Sequence, residues 1–289
     1  LFCVCFRHRT LLIKQFSVIF LQSLLIVVVV TPAVIWMAHR FRIVDVPDER
    51  KHHELPTPLL GGVAIFAGIL FTVVQNMTLT PEIVSILVGS SIIFGLGLLD
   101  DIMGLSSVIR LIGQVAAALI VISSGLTVTF LPHNFLGSLA SVLVSVIWLL
   151  GIVNTLNFVD GVDGLASGVS VIAAIFFGMI AFNRGCDDVA MLAVIVMAAG
   201  IGFLFFNFKP AKIYLGDAGS TLLGFLLACI ALFGRWSSDG VVVALGIPVL
   251  ILGLLIFDMC YITVSRVISG RVKSVREWLD YTGRDHFHH

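Results

Sequence analysis

Carboxylate and amide side chains recur at short, regular intervals along this sequence. Asp100 and Asp101 form an adjacent pair at the end of an apolar run, and Asp217 stands in the segment GDAGS just before another such run. Four further residues follow one another in steps of three: Asn154, Asn157, Asp160 and Asp163. Carboxylate oxygens favour Mg²⁺, which usually bridges a few carboxylates to the phosphates of a substrate. The pattern therefore predicts phosphoryl transfer that depends on Mg²⁺, with Mn²⁺ as a substitute.

Each motif also has a purely structural interpretation. The Asp100–Asp101 pair could be a solvated helix end, and the GDAGS segment could be a helix N-cap, a geometry that also cradles phosphate. Two anions at the negative end of a helix dipole are unfavourable. We therefore expect a cation to compensate the Asp100–Asp101 pair.

The run from Asn154 to Asp163 cannot lie on one straight helix. Each step of three residues turns through about 300°, so the fourth residue would lie opposite the first. Gly161 and Gly164 allow the chain to leave the helix there and to turn both carboxylates toward one pocket. For either Asp alone, a simple turn between two helices is the competing interpretation.

Composition predicts the elements that position these residues. Of the 289 residues, 59% are hydrophobic and 12% are charged, and the mean hydropathy is +1.12. An average soluble domain is about a quarter charged, so the composition excludes soluble globular, disordered and coiled-coil chains. The 17 basic and 17 acidic residues give no indication of nucleic-acid binding, and the five cysteines form no CxxC motif. We therefore predict an all-α polytopic membrane protein.

Nine apolar segments predict about nine transmembrane helices, because a bilayer core needs about 20 apolar residues per helix and fewer where neighbouring protein shields the ends. The segments are Phe16–Ala38, Leu59–Val74, Ile83–Leu99, Val108–Ser123, Leu139–Val153, Ala166–Phe182, Val189–Phe206, Gly219–Phe233 and Val241–Val264. They predict one transmembrane domain over residues 1–289, with an N-terminal tail over 1–15, a helical bundle over 16–264 and a cytoplasmic loop over 265–289.

Basic residues predict the orientation, since Lys and Arg concentrate in short cytoplasmic loops. Twelve of them fall in the loops after the first, third, seventh and ninth segments, and only Arg184 and Arg235 fall in the opposite loops. Three basic residues of the N-terminal tail oppose this assignment. The polar motifs lie on the predicted cytoplasmic side, where carboxylates at the membrane edge are costly and usually functional. We therefore expect a single cytoplasmic active site in the cell membrane.

Taken in order, these motifs resemble those of the polyprenyl-phosphate N-acetylhexosamine-1-phosphate transferase superfamily, glycosyltransferase family four. The segments that carry the resemblance are RKHHELPTPLLGG, LLDDIMGL, NTLNFVDGVDGLASG, IYLGDAGS and HFHH. The resemblance implies transfer of a sugar-1-phosphate from a UDP-sugar to undecaprenyl or another polyprenyl phosphate, with release of UMP. Such a reaction initiates a cell-envelope glycan such as lipopolysaccharide or teichoic acid. A homodimer is compatible with the resemblance.

The resemblance also implies roles for individual residues. It makes Asp100 and Asp101 candidates for handling the acceptor phosphate and the metal, and Asp217 a magnesium ligand. The implied catalytic set is Asp100, Asp101, Asp217, His286, His288 and His289, and the implied metal set is Asp217, Asn157 and Asp101. The implied substrate-binding set is Lys51, Asn157, Asp160, Asp163, Asn207 and Tyr214, in which Lys51 lies near the nucleotide and Tyr214 stacks on uracil.

The spacing of the last histidines indicates the donor sugar. HFHH resembles the H-x-HH form of the N-acetylglucosamine-type branch, whereas the phospho-N-acetylmuramoyl-pentapeptide branch tends to have three consecutive histidines. UDP-N-acetylglucosamine is therefore the expected donor, with the muramoyl-pentapeptide donor as the alternative. The family has at least one more transmembrane helix after this motif, so we expect the chain to be incomplete.

Two other classes of protein share part of this pattern. A CDP-alcohol phosphatidyltransferase also uses Mg²⁺ and repeated DG elements, but its signature continues with an Arg that is missing after Asp163. A cation-coupled transporter would also hold Asp and Asn residues in the membrane, but near the midplane of broken helices. In this sequence they gather at the predicted cytoplasmic ends.

Overall fold

The computed structural model describes residues 2–45, 56–132, 134–234, 236 and 241–269. Within these residues the chain is almost entirely helical, which confirms the predicted all-α class. The helices are α1 (Phe2–Phe41), α2 (Gly61–Asn76), α3 (Pro81–Met103), α4 (Ser107–Ser123), α5 (Phe135–Val159), α6 (Leu165–Asn183), α7 (Asp187–Asn207), α8 (Gly216–Phe233), α9 (Val241–Ile251) and α10 (Gly253–Ile268). The strands are β1 (Val44–Asp45) and β2 (Thr57–Pro58).

Among the described residues, six helices are long and apolar enough to cross a membrane. They are α1, α3, α5, α6, α7 and α8, and the bent pair α9–α10 makes a seventh if it is counted as one span. The predicted number of nine spans is therefore not reached. The difference arises because α2 and α4 are apolar but only 16 and 17 residues long, or about 25 Å.

One predicted span is interrupted, and one predicted tail is helical. Helix α1 runs from Phe2 to Phe41, and its candidate membrane span, Lys14–Phe41, begins close to the predicted Phe16. The predicted ninth span is interrupted at Leu252, where α9 and α10 meet at 79°. Gly253 directly follows this break and is a poor helix former, so an apolar run alone did not ensure one straight helix.

Helix α8 lies at the centre of the bundle. It packs mainly against α3 and α5 and also against α2 and α6. Every residue from Leu222 to Ala231 is buried, whereas large apolar side chains on α1 and α5, such as Val29 and Ile147, are exposed. A helix that is apolar all round and buried all round is a core helix, and the exposed apolar faces of the outer helices suit contact with lipid.

A short antiparallel hairpin ties two distant loops together. Val44 pairs with Pro58 and Asp45 with Thr57, an element that the sequence did not predict. The chain after β2 then meets the segment before α8, because the N–H of Tyr214 donates to the carbonyl of Pro58 at 2.8 Å. In return the N–H of Gly61 donates to the carbonyl of Tyr214 at 3.0 Å. These bonds fix the position of Tyr214 at the start of α8.

Candidate active site

Four described segments of the chain meet at one end of the bundle. They are the C-terminal end of α3 with the start of α4, the α5–α6 turn, the α7–α8 segment and the chain that follows β2. Hydrogen bonds between residues more than 40 positions apart connect them. The polar motifs of the sequence thus form one cluster around the first turn of α8.

Asp101 caps α8 from another helix. Its Oδ1 accepts a hydrogen bond from the N–H of Asp217 at 2.8 Å, and its Oδ2 accepts one from the N–H of Ala218 at 3.1 Å. The residue at the N-cap position, Leu215, offers no side-chain oxygen. The first N–H groups of a helix have no partner within it, so the Asp101 carboxylate does the work of an N-cap and also complements the helix dipole.

Asp100 is neutralised by Arg110. The Nη1 of Arg110 lies 2.8 Å from Asp100 Oδ2, and the N–H of Leu105 donates to Asp100 Oδ1 at 2.6 Å. The Asp100 side chain is 7% exposed and that of Arg110 is 38% exposed. The predicted cation beside the Asp100–Asp101 pair is thus confirmed. Sequence reasoning placed Arg110 only among the loop charges, although its position four residues after the Ser106 N-cap of α4 puts it close to the site.

Asp217 lies between α4 and α5. Its Oδ1 accepts a hydrogen bond from Asn157 Nδ2 at 2.8 Å, and its Oδ2 lies 3.5 Å from Arg110 Nη1. The same Asn157 nitrogen reaches Ser220 Oγ at 3.0 Å. With 35% of its side chain exposed, Asp217 is a carboxylate that a ligand can reach.

Asp160 and Asp163 follow the end of α5. The helix stops at Val159, and Gly164 takes up φ +74°, so the chain turns there as the spacing by threes predicted. Asp163 Oδ2 accepts a hydrogen bond from the N–H of Ala211 at 3.0 Å, which anchors the α7–α8 segment. Asp160 accepts no hydrogen bond within the described part of the chain.

The surroundings of Asp160 disfavour its negative charge. Burial raises the pKa of its carboxyl well above the ordinary value, and the negative charges of Asp217, Asp101 and Asp163 raise that pKa further. A half-buried carboxylate that accepts no hydrogen bond and lies beside three others is costly unless a cation joins it. A cation placed here would offset both the desolvation and the neighbouring negative charges.

The donor set can be compared with the needs of Mg²⁺. Among the described residues, no group of three acidic, His or Cys side chains is already arranged around one point. The available oxygens are nevertheless of the right kind, since Asp217, Asp160 and Asn157 Oδ1 are hard donors. A cavity of about 30 Å³, which we call the inner cavity, adjoins Asp100, Arg110, Asn157 and Asp217. It has room for one water-sized species.

Tyr214 and Asn207 belong to the segment between α7 and α8. Asn207 is 2% exposed, its Oδ1 accepts from Ser167 Oγ at 3.0 Å, and its Nδ2 donates to the carbonyl of Ile213 at 2.9 Å. Its polar atoms therefore hold the segment and are turned away from solvent. Tyr214 is half-buried beside Thr57, to which its side chain is hydrogen-bonded, and burial raises the pKa of its hydroxyl.

The remaining predicted site residues lie outside the described residues. They are Lys51, His286, His288 and His289. Their roles stay predictions of the sequence.

The fold and the site define the class of this protein as a multi-pass helical membrane protein with a carboxylate-rich site at one end of its bundle. Residues 83–235 match the model of the family described as Glycosyl transferase family 4. The matched range includes Asp100, Asp101, Asn157, Asp160 and Asp217. The chain belongs to this family, as its motifs indicated.

Three curated relatives illustrate the similarity. A probable undecaprenyl-phosphate N-acetylglucosaminyl 1-phosphate transferase of Bacillus subtilis is 37% identical over 279 residues, which cover 94% of this chain and 76% of the relative. A decaprenyl-phosphate N-acetylglucosaminephosphotransferase of Mycobacterium tuberculosis is 33% identical over 252 residues, covering 79% and 62%. A phospho-N-acetylmuramoyl-pentapeptide-transferase of Staphylococcus saprophyticus is 31% identical over 198 residues, covering 61% and 62%. The chain thus spans three quarters of the first relative and under two thirds of the other two.

Proposed function

We propose that this chain transfers N-acetylglucosamine-1-phosphate from UDP-N-acetylglucosamine to undecaprenyl or another polyprenyl phosphate and releases UMP. The observation that carries the proposal is the cluster of Asp217, Asn157 and Asp160 around the first turn of α8, in a chain that belongs to this transferase family. The acceptor carries its phosphate on an isoprenoid tail, which suits a site at one end of a membrane-spanning helical bundle.

The choice of N-acetylglucosamine as the sugar has two supports. The relatives with this sugar in their names are 37% and 33% identical to the chain, and the muramoyl-pentapeptide relatives are 31% and 29% identical. The H-x-HH spacing of the last histidines favours the same branch. The muramoyl-pentapeptide donor is the second candidate.

Mg²⁺ or Mn²⁺ is the cofactor that we propose for this site. Asp217, Asp160 and Asn157 Oδ1 would hold it, since these oxygens are not committed to backbone donors. Asp101 was implied as a further ligand, but both of its oxygens accept from α8 N–H groups, so we propose that it positions Asp217. When bound, the ion would supply positive charge that offsets the donor diphosphate and the leaving UMP.

The acceptor phosphate needs little activation by the protein. A phosphate monoester has a second pKa near 6, so most of it is dianionic at neutral pH. Its obstacle is repulsion from the donor diphosphate, which the guanidinium of Arg110 can reduce because 38% of that side chain is exposed beside Asp217. Lys51 and the histidines of HFHH are predicted to assist.

Direct attack by the acceptor on the donor phosphorus is therefore the mechanism that we propose. A covalent route would instead need an Asp as nucleophile. Asp100 is poorly suited to that task, because one of its oxygens accepts from Arg110 and the other from the N–H of Leu105. The same contacts make Asp100 a weak general base, and its proposed role is to hold Arg110 at the site.

The activity is tested by UMP release from UDP-N-acetylglucosamine in detergent, with and without undecaprenyl phosphate. We expect release only when the lipid is present, and loss of release in Asp217→Asn. UDP-N-acetylmuramoyl-pentapeptide serves as the second donor. Uptake of a solute into sealed vesicles without UMP release would favour a cation-coupled transporter and refute the proposal.

The mechanism is tested by exchange of labelled UMP into UDP-N-acetylglucosamine in thoroughly delipidated enzyme. Direct attack allows no exchange until polyprenyl phosphate is supplied. Exchange without lipid that disappears in Asp100→Asn would show a covalent enzyme intermediate and overturn direct attack.

We also propose that the site faces the cytoplasm, as the distribution of Lys and Arg predicts. Lys212 is exposed near the site, and Asn183 is exposed at the opposite end of the bundle. In a cysteine-free background, a membrane-impermeant maleimide should label Lys212→Cys in inverted vesicles but not in intact cells. Asn183→Cys should give the opposite pattern, and labelling of Lys212→Cys in intact cells would reverse the orientation.

A further inference from the structure

Two amide side chains face each other between α4 and α5. Gln114 Nε2 donates to Asn154 Oδ1 at 3.3 Å, and Asn154 Nδ2 donates to Gln114 Oε1 at 2.9 Å. Asn154 Nδ2 also reaches the carbonyl of Leu150 at 2.7 Å. Both residues border the inner cavity. We call Gln114 and Asn154 the amide pair.

The amide pair lies one helical turn inside the site. On α4, Gln114 follows Arg110 by four residues, and on α5, Asn154 precedes Asn157 by three residues. Residues with these spacings share a helix face. Arg110 and Asn157 both contact the Asp217 carboxylate, at 3.5 and 2.8 Å. The pair therefore joins the two helices that hold Asp217 from either side.

Packing alone does not account for two amides at this depth. Gln114 is 7% exposed, and taking amides out of water is costly unless they are hydrogen-bonded. Apolar side chains of the same shape would fill the space at little cost. What only the amides provide is a directional contact, since the two reciprocal bonds fix both the distance between α4 and α5 and their relative rotation.

We propose that Gln114 and Asn154 are positioning residues for the metal and phosphate site. The amide pair holds α4 and α5 at the spacing at which Arg110 and Asn157 reach the two oxygens of Asp217 together. Without the pair, one of these contacts lengthens and Asp217 loses its orientation. The inference rests on the proposed function for its chemistry and on the contacts above for its geometry.

The test uses Gln114→Met and Asn154→Leu, which keep much of the side-chain volume and remove the amides. The exchange variant Gln114→Asn with Asn154→Gln keeps both amides and moves one methylene between the helices. The control is Gln22→Met, because Gln22 makes amide contacts with Gln75 and Asn76 that join α1 and α2 away from the site. Each protein is assayed for Mn²⁺ affinity by electron paramagnetic resonance, for kcat and KM of UMP release, and for its thermal midpoint.

We expect each single variant to bind Mn²⁺ about tenfold more weakly and to lose about tenfold to a hundredfold in kcat, as for residues that orient metal ligands. KM for UDP-N-acetylglucosamine should change little. The exchange variant should recover most of both losses. Gln22→Met should lower the thermal midpoint and leave Mn²⁺ affinity and kcat unchanged.

Other outcomes overturn the proposal. One such outcome is that Gln114→Met lowers the thermal midpoint but keeps the Mn²⁺ affinity and kcat of the unmodified protein. The amide pair would then be a structural contact only. If the single variants do not fold, the double variant Gln114→Met with Asn154→Leu leaves no unpaired amide, and full Mn²⁺ affinity in it would overturn the proposal. If the unmodified protein releases no UMP, the proposed function fails, while Mn²⁺ affinity across the same variants still decides on the amide pair.

Discussion

Replacing Asp101 should lower the stability of the protein more directly than it alters the chemistry. Its two oxygens accept from the N–H groups of Asp217 and Ala218, so the side chain closes the N-terminal end of α8. That helix is the buried centre of the bundle. Loss of the cap leaves two backbone donors of α8 without their protein partner, which water can replace only in part.

The contacts set the size of the effect. A hydrogen bond to a charged group contributes about 1.5–3 kcal/mol, and loss of an N-cap costs about 0.5–2 kcal/mol. For Asp101→Ala, which removes two such bonds but leaves room for water, we expect a loss of about 3 kcal/mol. Asp101→Asn keeps one acceptor oxygen but presents an NH₂ group to the second N–H, so its expected loss is about 1–2 kcal/mol.

The assay is thermal unfolding in detergent, followed together with Mn²⁺ binding. Asp217→Asn is the matched control, because it makes the same chemical change at a neighbouring carboxylate. It leaves the backbone N–H groups of α8 paired with Asp101. We expect Asp101→Asn to lower the midpoint by several degrees and Asp217→Asn to change it little while abolishing Mn²⁺ binding. If Asp101→Asn kept the midpoint and lost Mn²⁺ binding as Asp217→Asn does, Asp101 would be a metal ligand and the capping argument would be refuted.

Three further predictions concern the cofactor, the nucleotide and the start of α8. EDTA should abolish UMP release and added Mg²⁺ or Mn²⁺ should restore it, whereas full turnover in EDTA would exclude the metal. If the ring stacks on uracil, Tyr214→Ala should weaken UDP-sugar binding by about 1–3 kcal/mol, which would be measured as a raised KM. Tyr214→Phe should keep the KM and lose only the hydrogen bond with Thr57, which costs about 1 kcal/mol of stability. Gly216→Ala should destabilise the protein by at least about 1–3 kcal/mol, seen as a lower thermal midpoint, because Gly216 has φ +68° and a Cβ there would lie 2.3 Å from the carbonyl oxygen of Leu59.

Local features of the site could be predicted from the sequence. The steps of three from Asn154 to Asp163 required α5 to end within that run, and it ends at Val159. The two anions at the end of α3 required a cation, and Arg110 supplies it at 2.8 Å. Both predictions depend only on helix geometry and on charge, which act between residues close together in the chain.

Features that depend on contacts between distant residues were not predictable in this way. Asp101 is paired with the N–H of a residue 116 positions away, and nothing in its own segment distinguishes a cap for α8 from a metal ligand. Gln114 lies inside an apolar segment, where its partner 40 residues further on cannot be seen from spacing. The predicted count of nine spans is not confirmed for a related reason, since apolar character alone does not distinguish a helix that crosses the membrane from a shorter apolar helix such as α2 or α4.

The contacts of the five carboxylates indicate why only some of them are available to a ligand. Asp100 and Asp101 have both oxygens committed to donors of this chain, and Asp163 has one oxygen committed to Ala211. Asp101 and Asp163, together with Asp217, raise the pKa of the neighbouring Asp160. An unpaired carboxylate under such repulsion gains most from a divalent cation, because the cation offsets the burial cost and the like charges at once. If a divalent cation binds as proposed, Asp101 and Asp163 would therefore favour it through the negative charge they place near Asp160, without having to be ligands themselves.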